Sequence, residues 1–234
     1  MSTKEDYVKI EGLFYESLLS SIKEEICLYC VTGSLGRNET IPGWSDIDVL
    51  IVIKDYKKST FDSINSALLK ISSGIKIGTT IFSFEEFNHQ YFKDAKTYVS
   101  INLIESGHYK PRIMIPEIKL VKADKVFNKY MDIVCFSGCS HSLKRSLLKM
   151  DEYDENKTYK LIIVLLKIIL SRLGVVALGY KDTLVKASKY ISNFDIKIPE
   201  PEKIMAEPEK KDERYAIYFD VLKWLNKNTD SIFH

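Results

Sequence analysis

Cysteine is scarce in this 234-residue chain, with four residues at positions 27, 30, 135 and 139, and so are proline (6) and glycine (10). Values this low exclude collagen-like and low-complexity architectures. A chain of this length buries a sizeable core without help from disulfides or metals. An excess of charge of one sign is also missing: 34 Lys+Arg against 32 Asp+Glu leaves a net charge of +2. That balance rules out a strongly basic nucleic-acid scaffold and an acidic disordered tail, while leaving room for a local basic cleft. No uncharged apolar run approaches the roughly 18 residues a membrane helix requires. The nearest, 161–178, is broken by Lys167 and Arg172. Residues 1–10 carry Lys4, Glu5, Asp6 and Lys9 and have no signal-peptide apolar segment. The expectation is a cytoplasmic protein without a membrane partner.

Several chemistry-bearing motifs are missing too. There is no Gly-x4-Gly-Lys phosphate loop, no Gly-x-Gly-x2-Gly, and no His-x3-His or His-Glu-x2-His metal spacing. Cys27-x2-Cys30 and Cys135-x3-Cys139 resemble two halves of a zinc site only superficially. The first pair lies in the apolar run 26–31, which reads as a strand, where residues three apart point to opposite faces. Buried free thiols are the expected state.

Periodicity divides the chain in two. In the first half, Ile10, Leu13, Phe14, Leu18 and Ile22 form one helical stripe within 7–25. Strands are expected at 27–32, 46–53 and 75–82, with a polar loop at 35–44 and a helix at 59–72. Ser83 followed by Glu85 and Glu86 reads as the capped start of another helix. Between 101 and 121, Pro111 and Pro116 restrict any strand to a short or edge piece. From about Lys125 the pattern becomes helical, with a dominant apolar helix at 159–178 ended by Gly179, and further helices at 183–191 and 214–226. The fold class expected is α/β (α+β), a mixed sheet with flanking helices over 1–124, followed by an all-helical domain over 125–234, with a cleft between them.

The informative segment runs from Gly33-Ser34 at the end of one expected strand to Ser45-Asp46-Ile47-Asp48 at the start of the next. Asp46 and Asp48 alternate with apolar neighbours, so their carboxylates project from one face. Two adjacent carboxylates repel unless a cation or a shared proton relieves them. Hard paired oxygens suit Mg²⁺, which completes its octahedron with water and substrate phosphate. A glycine at a strand end lets phosphate approach backbone N–H groups. The Ser34 hydroxyl adds a hydrogen bond to phosphate, and Arg37 supplies charge. Gly-Ser and Asp-x-Asp are each commonplace, and their combination between two apolar strands carries the argument.

With residues 35–45 intervening, this pattern resembles the signature of the nucleotidyltransferase superfamily, whose members share a polymerase-beta-like core. The helical second half resembles in general pattern the C-terminal domains of aminoglycoside nucleotidyltransferases and of minimal nucleotidyltransferases. The resemblance implies Mg²⁺-dependent transfer of a nucleoside monophosphate, AMP from ATP or its counterpart from another nucleoside triphosphate, to a hydroxyl acceptor with release of pyrophosphate. It implies Asp46 and Asp48 as catalytic metal ligands for one or two Mg²⁺ ions, and Gly33, Ser34 and Arg37 as nucleotide-binding residues. The acceptor classes it allows are a small molecule such as an aminoglycoside, a tRNA 3′ end, and a hydroxyl of a partner protein. The acidic stretch 151–155 leans toward a cationic acceptor. Lys160, Lys167 and Arg172 are basic residues for a triphosphate across the cleft, or solvated side chains.

One departure stands out. Family enzymes usually present a third carboxylate on the neighbouring strand, but the segment 74–82 contains no acid, and Thr79 or Thr80 is expected in the corresponding place. The alternative function is therefore a catalytically degenerate nucleotide-binding module, regulatory or antitoxin-like. Small helical RNases that accompany minimal family members carry Arg-x4–6-His, and no such spacing occurs here.

Overall fold

The computed structural model describes residues 2–71, 74–122, 125–148 and 154–233. The chain forms two compact units, Met1–Asn128 and Lys129–His234.

The first unit is an α+β arrangement. Helix α1 (Lys4–Ile22) begins in a capping box, in which the Thr3 hydroxyl accepts from the Asp6 N–H and the Asp6 carboxylate accepts from the Thr3 N–H. A 3₁₀ turn, Lys23–Glu25, leads into β1 (Ile26–Thr32), the one-turn helix α2 (Gly33–Gly36) and β2 (Ile47–Ile53). Helix α3 (Lys58–Lys70) crosses over to β3 (Ile77–Ser83), and α4 (Phe84–Asn88), α5 (Ala95–Glu105) and β4 (Ile113–Met114) follow. The mixed sheet has the order β3-β2-β1-β4. Strand β1 is antiparallel to β2 and to β4, while β2 and β3 are parallel, as the helical crossover requires.

Alternation along β2 sorts its side chains. Ile47, Val49, Ile51 and Ile53 join one buried cluster with Tyr7, Phe14, Leu18 and Ile22 of α1 and Ile64 and Ala67 of α3. Asp48, Leu50 and Val52 point to the other side of the sheet. Inside the α1 side, the nearly enclosed Glu11 accepts from the Tyr29 hydroxyl at 2.8 Å and pairs with Arg112, whose guanidinium lies 4.7 Å from the centre of the Tyr15 ring. Burial pushes the Glu11 carboxyl up, and Tyr29 and Arg112 only partly offset it.

The expected strands and helices of this half appear within a few residues of their expected ends, and the helix after β3 is capped by Ser83 with Glu86 reciprocating. Strand β4 is the two-residue edge piece that its flanking prolines permit. Helix α5 has no counterpart in the sequence reading. Its buried residues, Thr97, Tyr98, Ser100, Ile101, Leu103 and Ile104, wrap widely around it and include three hydroxyls, so no apolar stripe marks it.

The second unit takes in most of α6 (Lys125–Leu148), then α7 (Glu155–Arg172), α8 (Tyr180–Tyr190), α9 (Pro201–Ala206), a 3₁₀ turn Pro208–Lys210 and α10 (Lys211–Phe233). Helix α7 buries Tyr159, Ile162, Ile163, Leu165, Leu166, Ile168, Ile169 and Leu170, and packs against α8 and α10. It stops at Arg172, short of the expected Gly179. Gly174 adopts φ +73°, and the Val175 N–H returns to the Leu170 carbonyl at 2.8 Å. Gly179 instead caps the start of α8. The Lys167 ammonium donates to the Leu178 carbonyl within this unit. At the start of α7, Asp154 caps the helix, and Glu155 takes a two-pronged ion pair from the buried Arg214 at 2.6 and 3.0 Å. The rest of the acidic stretch, residues 151–153, lies outside the described residues.

Cys27 and Cys30 are buried on β1, and burial raises both thiols, Cys30 to about 12. Among the described residues no helix is long and apolar enough to cross a membrane.

Candidate functional site

Strand β1 delivers the chain to an abrupt turn. Gly33 sits at φ +63°, in the left-handed region that disfavours a side chain, and a Cβ built there would lie 2.2 Å from Asp48 Oδ2. Two constraints, backbone and contact, thus demand glycine at this one position. The antiparallel register sets Thr32 opposite Asp48, and the Thr32 hydroxyl donates to the Asp48 carbonyl at 3.3 Å. The Asp48 carboxylate therefore rests against the bare α-carbon of the turn.

The turn is braced from behind. A Cβ on Gly36 would stand 2.5 Å from the Val31 carbonyl and 2.9 Å from the Tyr109 ring. The Tyr109 hydroxyl donates to the Gly33 carbonyl at 3.3 Å and accepts from Arg37 Nη1 at 2.8 Å. Arg37 also donates from Nε to Glu39 at 2.8 Å. Burial works against the Arg37 charge, but Tyr109 and Glu39 outweigh it and hold the guanidinium firmly protonated. Burial pushes the Tyr109 phenol up, with Arg37 pulling the other way. Ser34 lies in the first turn of α2, and its carbonyl accepts from the Glu39 N–H at 2.8 Å.

The loop between Arg37 and Asp46 is tied to α1. The buried Tyr7 hydroxyl donates to the Ser45 carbonyl at 3.0 Å and accepts from the Gly43 N–H at 3.2 Å. The Ser45 hydroxyl accepts from the Ile41 N–H at 2.9 Å. These bonds fix the approach to Asp46, which stands one residue ahead of β2, where the Ile47 N–H donates to the Lys76 carbonyl at 2.9 Å. With Ile47 facing the core, strand alternation directs Asp46 and Asp48 to the opposite side.

On β3 the residue paired with Asp48 is Gly78, and a Cβ there would meet Asp48 Oδ1 at 3.5 Å. Thr80 pairs with Leu50, one step further along the same face, and Thr79 pairs with Val49 on the core face. The position expected for a threonine is thus a glycine. Asp48 Oδ1 instead receives the Lys96 ammonium from α5 at 2.8 Å. The structure therefore brings Gly33, Thr32 and Asp48 into contact and adds Lys96 and Gly78, while Arg37 is turned toward Glu39 and Tyr109.

Lys96, Tyr109 and Tyr7 escaped the sequence reading. They lie 48, 61 and 41 residues from Asp48, and no local pattern ties them to it. The one usable signal was Asp94, a helix-capping type two residues before Lys96, whose carboxylate does accept from the Thr97 N–H.

The carboxylates fit a divalent cation on two observations. The Lys96 ammonium already occupies a cation's place on Asp48, and the missing Cβ of Gly33 lets the same carboxylate stand directly against the turn. Among the described residues no group of three or more His, Cys, Asp or Glu side chains gathers to hold a metal. An ion held by Asp46 and Asp48 would draw its other oxygens from water and phosphate, as Mg²⁺ does.

The family model described as Nucleotidyltransferase domain matches residues 16–128 of this chain. In fold the chain is similar to a crystal structure of spectinomycin adenyltransferase AAD(9) from Enterococcus faecialis with ATP and spectinomycin. The TM-score is 0.54 at 14% identity, over 97% of this chain and 96% of that one. Comparison with curated proteins gives no match.

Proposed function

We propose that this chain, whose residues 16–128 match the family model described as Nucleotidyltransferase domain, transfers a nucleoside monophosphate, AMP from ATP, to a hydroxyl acceptor and releases pyrophosphate. The observation that carries this reading is the Asp48 carboxylate lodged against the glycine turn that follows β1. That contact sets a metal-binding oxygen beside backbone suited to phosphate.

In this reading Asp46 and Asp48 would hold Mg²⁺, which would supply charge neutralisation for the polyphosphate. Gly33 and Ser34 receive the β- and γ-phosphates. Arg37 and Tyr109 hold that turn in shape through the Gly33 carbonyl. Tyr7 fixes the entry to Asp46, so both carboxylates are positioned before nucleotide arrives. The transferase domain is assigned to 1–124 and the helical domain to 125–234. The near-neutral net charge argues against a nucleic-acid acceptor, and the acidic sequence 151–155 favours a small cationic molecule such as an aminoglycoside. The ATP-bound fold relative supports nucleotide use by its fold alone.

A second reading, a nucleotide-binding regulatory or antitoxin-like module without turnover, draws on Gly78. The place beside Asp48 holds no acid to activate a hydroxyl. One experiment separates the two. The protein is incubated with Mg²⁺, each of four α-labelled nucleoside triphosphates, and an aminoglycoside, tRNA or a protein extract. Transfer of label to the aminoglycoside with pyrophosphate release is expected. Label in the tRNA lane alone overturns the acceptor class. Nucleotide binding without pyrophosphate release under every acceptor selects the regulatory reading.

A further inference from the structure

We propose that Lys96 is a polyphosphate-binding side chain that Asp48 holds in store. Its ammonium neutralises the carboxylate until a divalent cation displaces it, and then turns to the phosphate oxygens of the nucleotide. This deepens the nucleotidyltransferase reading and rests on it.

The backbone under Lys96 is fixed while its side chain is exposed and held by one ion pair. Asp94 caps α5 through the Thr97 N–H at 2.8 Å, and Lys96 is the second residue of that helix. Just before it, the buried Lys93 ammonium donates to the carbonyls of Phe87, at 2.7 Å, and His89, pinning the chain that enters the helix. The Lys96 side chain itself is 58% exposed, and Asp48 is its ion-pair partner at 2.8 Å. An exposed ion pair is weak, and a lysine carries its charge on four rotatable carbons. Lys96 can therefore leave Asp48 without disturbing α5.

Charge decides where it goes. A monovalent ammonium offsets one of the two neighbouring carboxylates, whereas a divalent ion offsets both, so the ion wins the contest for Asp48. A nucleoside triphosphate brings more negative charge than an ion already shared with two carboxylates can offset. The Arg37 guanidinium is already faced by the Glu39 carboxylate. Lys96 differs, because the ion that accompanies the phosphates is the one that strips its partner away. Gly78 sharpens the effect: no acid stands beside Asp48 on β3 to retain the displaced ammonium. Both Asp48 oxygens are involved, with Oδ2 against Gly33 and Oδ1 on Lys96, so the exchange takes place at the metal-binding carboxylate itself.

The test is calorimetry on the full chain and on Lys96→Met and Lys96→Arg. Each protein is titrated first with Mg²⁺ alone and then, at saturating Mg²⁺, with an α,β-methylene ATP analogue. Lys96→Met should bind Mg²⁺ alone about three- to fivefold more tightly, because no ammonium competes. It should bind the analogue about tenfold more weakly. Lys96→Arg should restore nucleotide affinity in large part. Opposite movement of the two affinities, at unchanged melting temperature, is the signature that a structural role does not produce. If Lys96→Met binds the analogue as tightly as the parent, or loses Mg²⁺ and analogue affinity together, the proposal is overturned. A parent protein that fails to bind the analogue at any Mg²⁺ concentration overturns the nucleotide reading and this inference with it. Parent binding with an indifferent Lys96→Met removes the lysine's role alone.

Discussion

Gly78 lies directly beside Asp48 in the parallel β2–β3 register, 3.5 Å from Asp48 Oδ1 measured from where its Cβ would be. That spacing is ordinary contact, so β3 admits a side chain at this position. Gly78→Glu should fold normally and place a third carboxylate beside the pair. Cation affinity rises with the number of charged ligands, so the Mg²⁺ midpoint for nucleotide binding should fall by about tenfold. A magnesium titration with a fluorescent ATP analogue reads this directly, and an unchanged midpoint would place the metal elsewhere.

Gly33 shows the opposite tolerance. Alanine there meets both a left-handed backbone and the Asp48 carboxylate at 2.2 Å. The backbone alone costs about 1–3 kcal/mol. Gly33→Ala should lower the melting temperature by several degrees and abolish Mg²⁺-dependent nucleotide binding, because the carboxylate must move. Near-parental values in differential scanning fluorimetry and in binding would contradict the geometry.

Asp48→Asn separates function from stability. It removes a ligand charge at nearly constant shape and leaves only an exposed ion pair with Lys96 unmade. The stability cost should stay within about 1 kcal/mol. Nucleotide transfer should fall by more than about 100-fold, exceeding the cost of losing a partner behind the ligands. Asp46→Asn should behave alike in transfer assays. Retained Mg²⁺-dependent transfer in either variant is incompatible with the proposed site.

Lys93 gives a pH signature. Burial lowers its ammonium from the ordinary 10.5 to about 8. Between those values the unfolded chain binds more protons at this residue than the native one, so stability rises with pH across that window. The contribution is complete above 10.5 and is lost as pH falls through about 8. Urea unfolding midpoints of the parent should climb between pH 8 and 10.5 relative to those of Lys93→Met. Parallel pH profiles of the two proteins would show that the ammonium is not desolvated.

How much of this was legible depended on range. The Gly33-Ser34 turn and the Asp46/Asp48 alternation were readable because each is a local pattern imposed by strand geometry. The same holds for the apolar odd positions of β2, which became the core face. Helix α5 was illegible because its buried side includes Thr97 and Ser100 and wraps beyond one stripe. Gly179 misled because glycine both ends and begins helices. The earlier stop at Arg172 follows from Gly174, which takes the left-handed conformation. The identity of the residue beside Asp48 depended on the β2–β3 register, which a one-residue shift would have changed from Gly78 to Thr79. Lys96 reaches Asp48 only through tertiary structure, and no spacing rule could have found it.

The Tyr7 hydroxyl has a practical bearing on how this scaffold can be cut and grafted. It holds the loop before Asp46 from α1, yet it precedes residue 16, where the family match begins. A fragment trimmed to the matched segment would keep every motif residue and lose the hook that holds their connecting loop. A loop transplanted from a relative would have to find that hook again. The smallest portable unit that keeps this loop in place therefore includes the first helix, and exchanges between relatives should move the two pieces together.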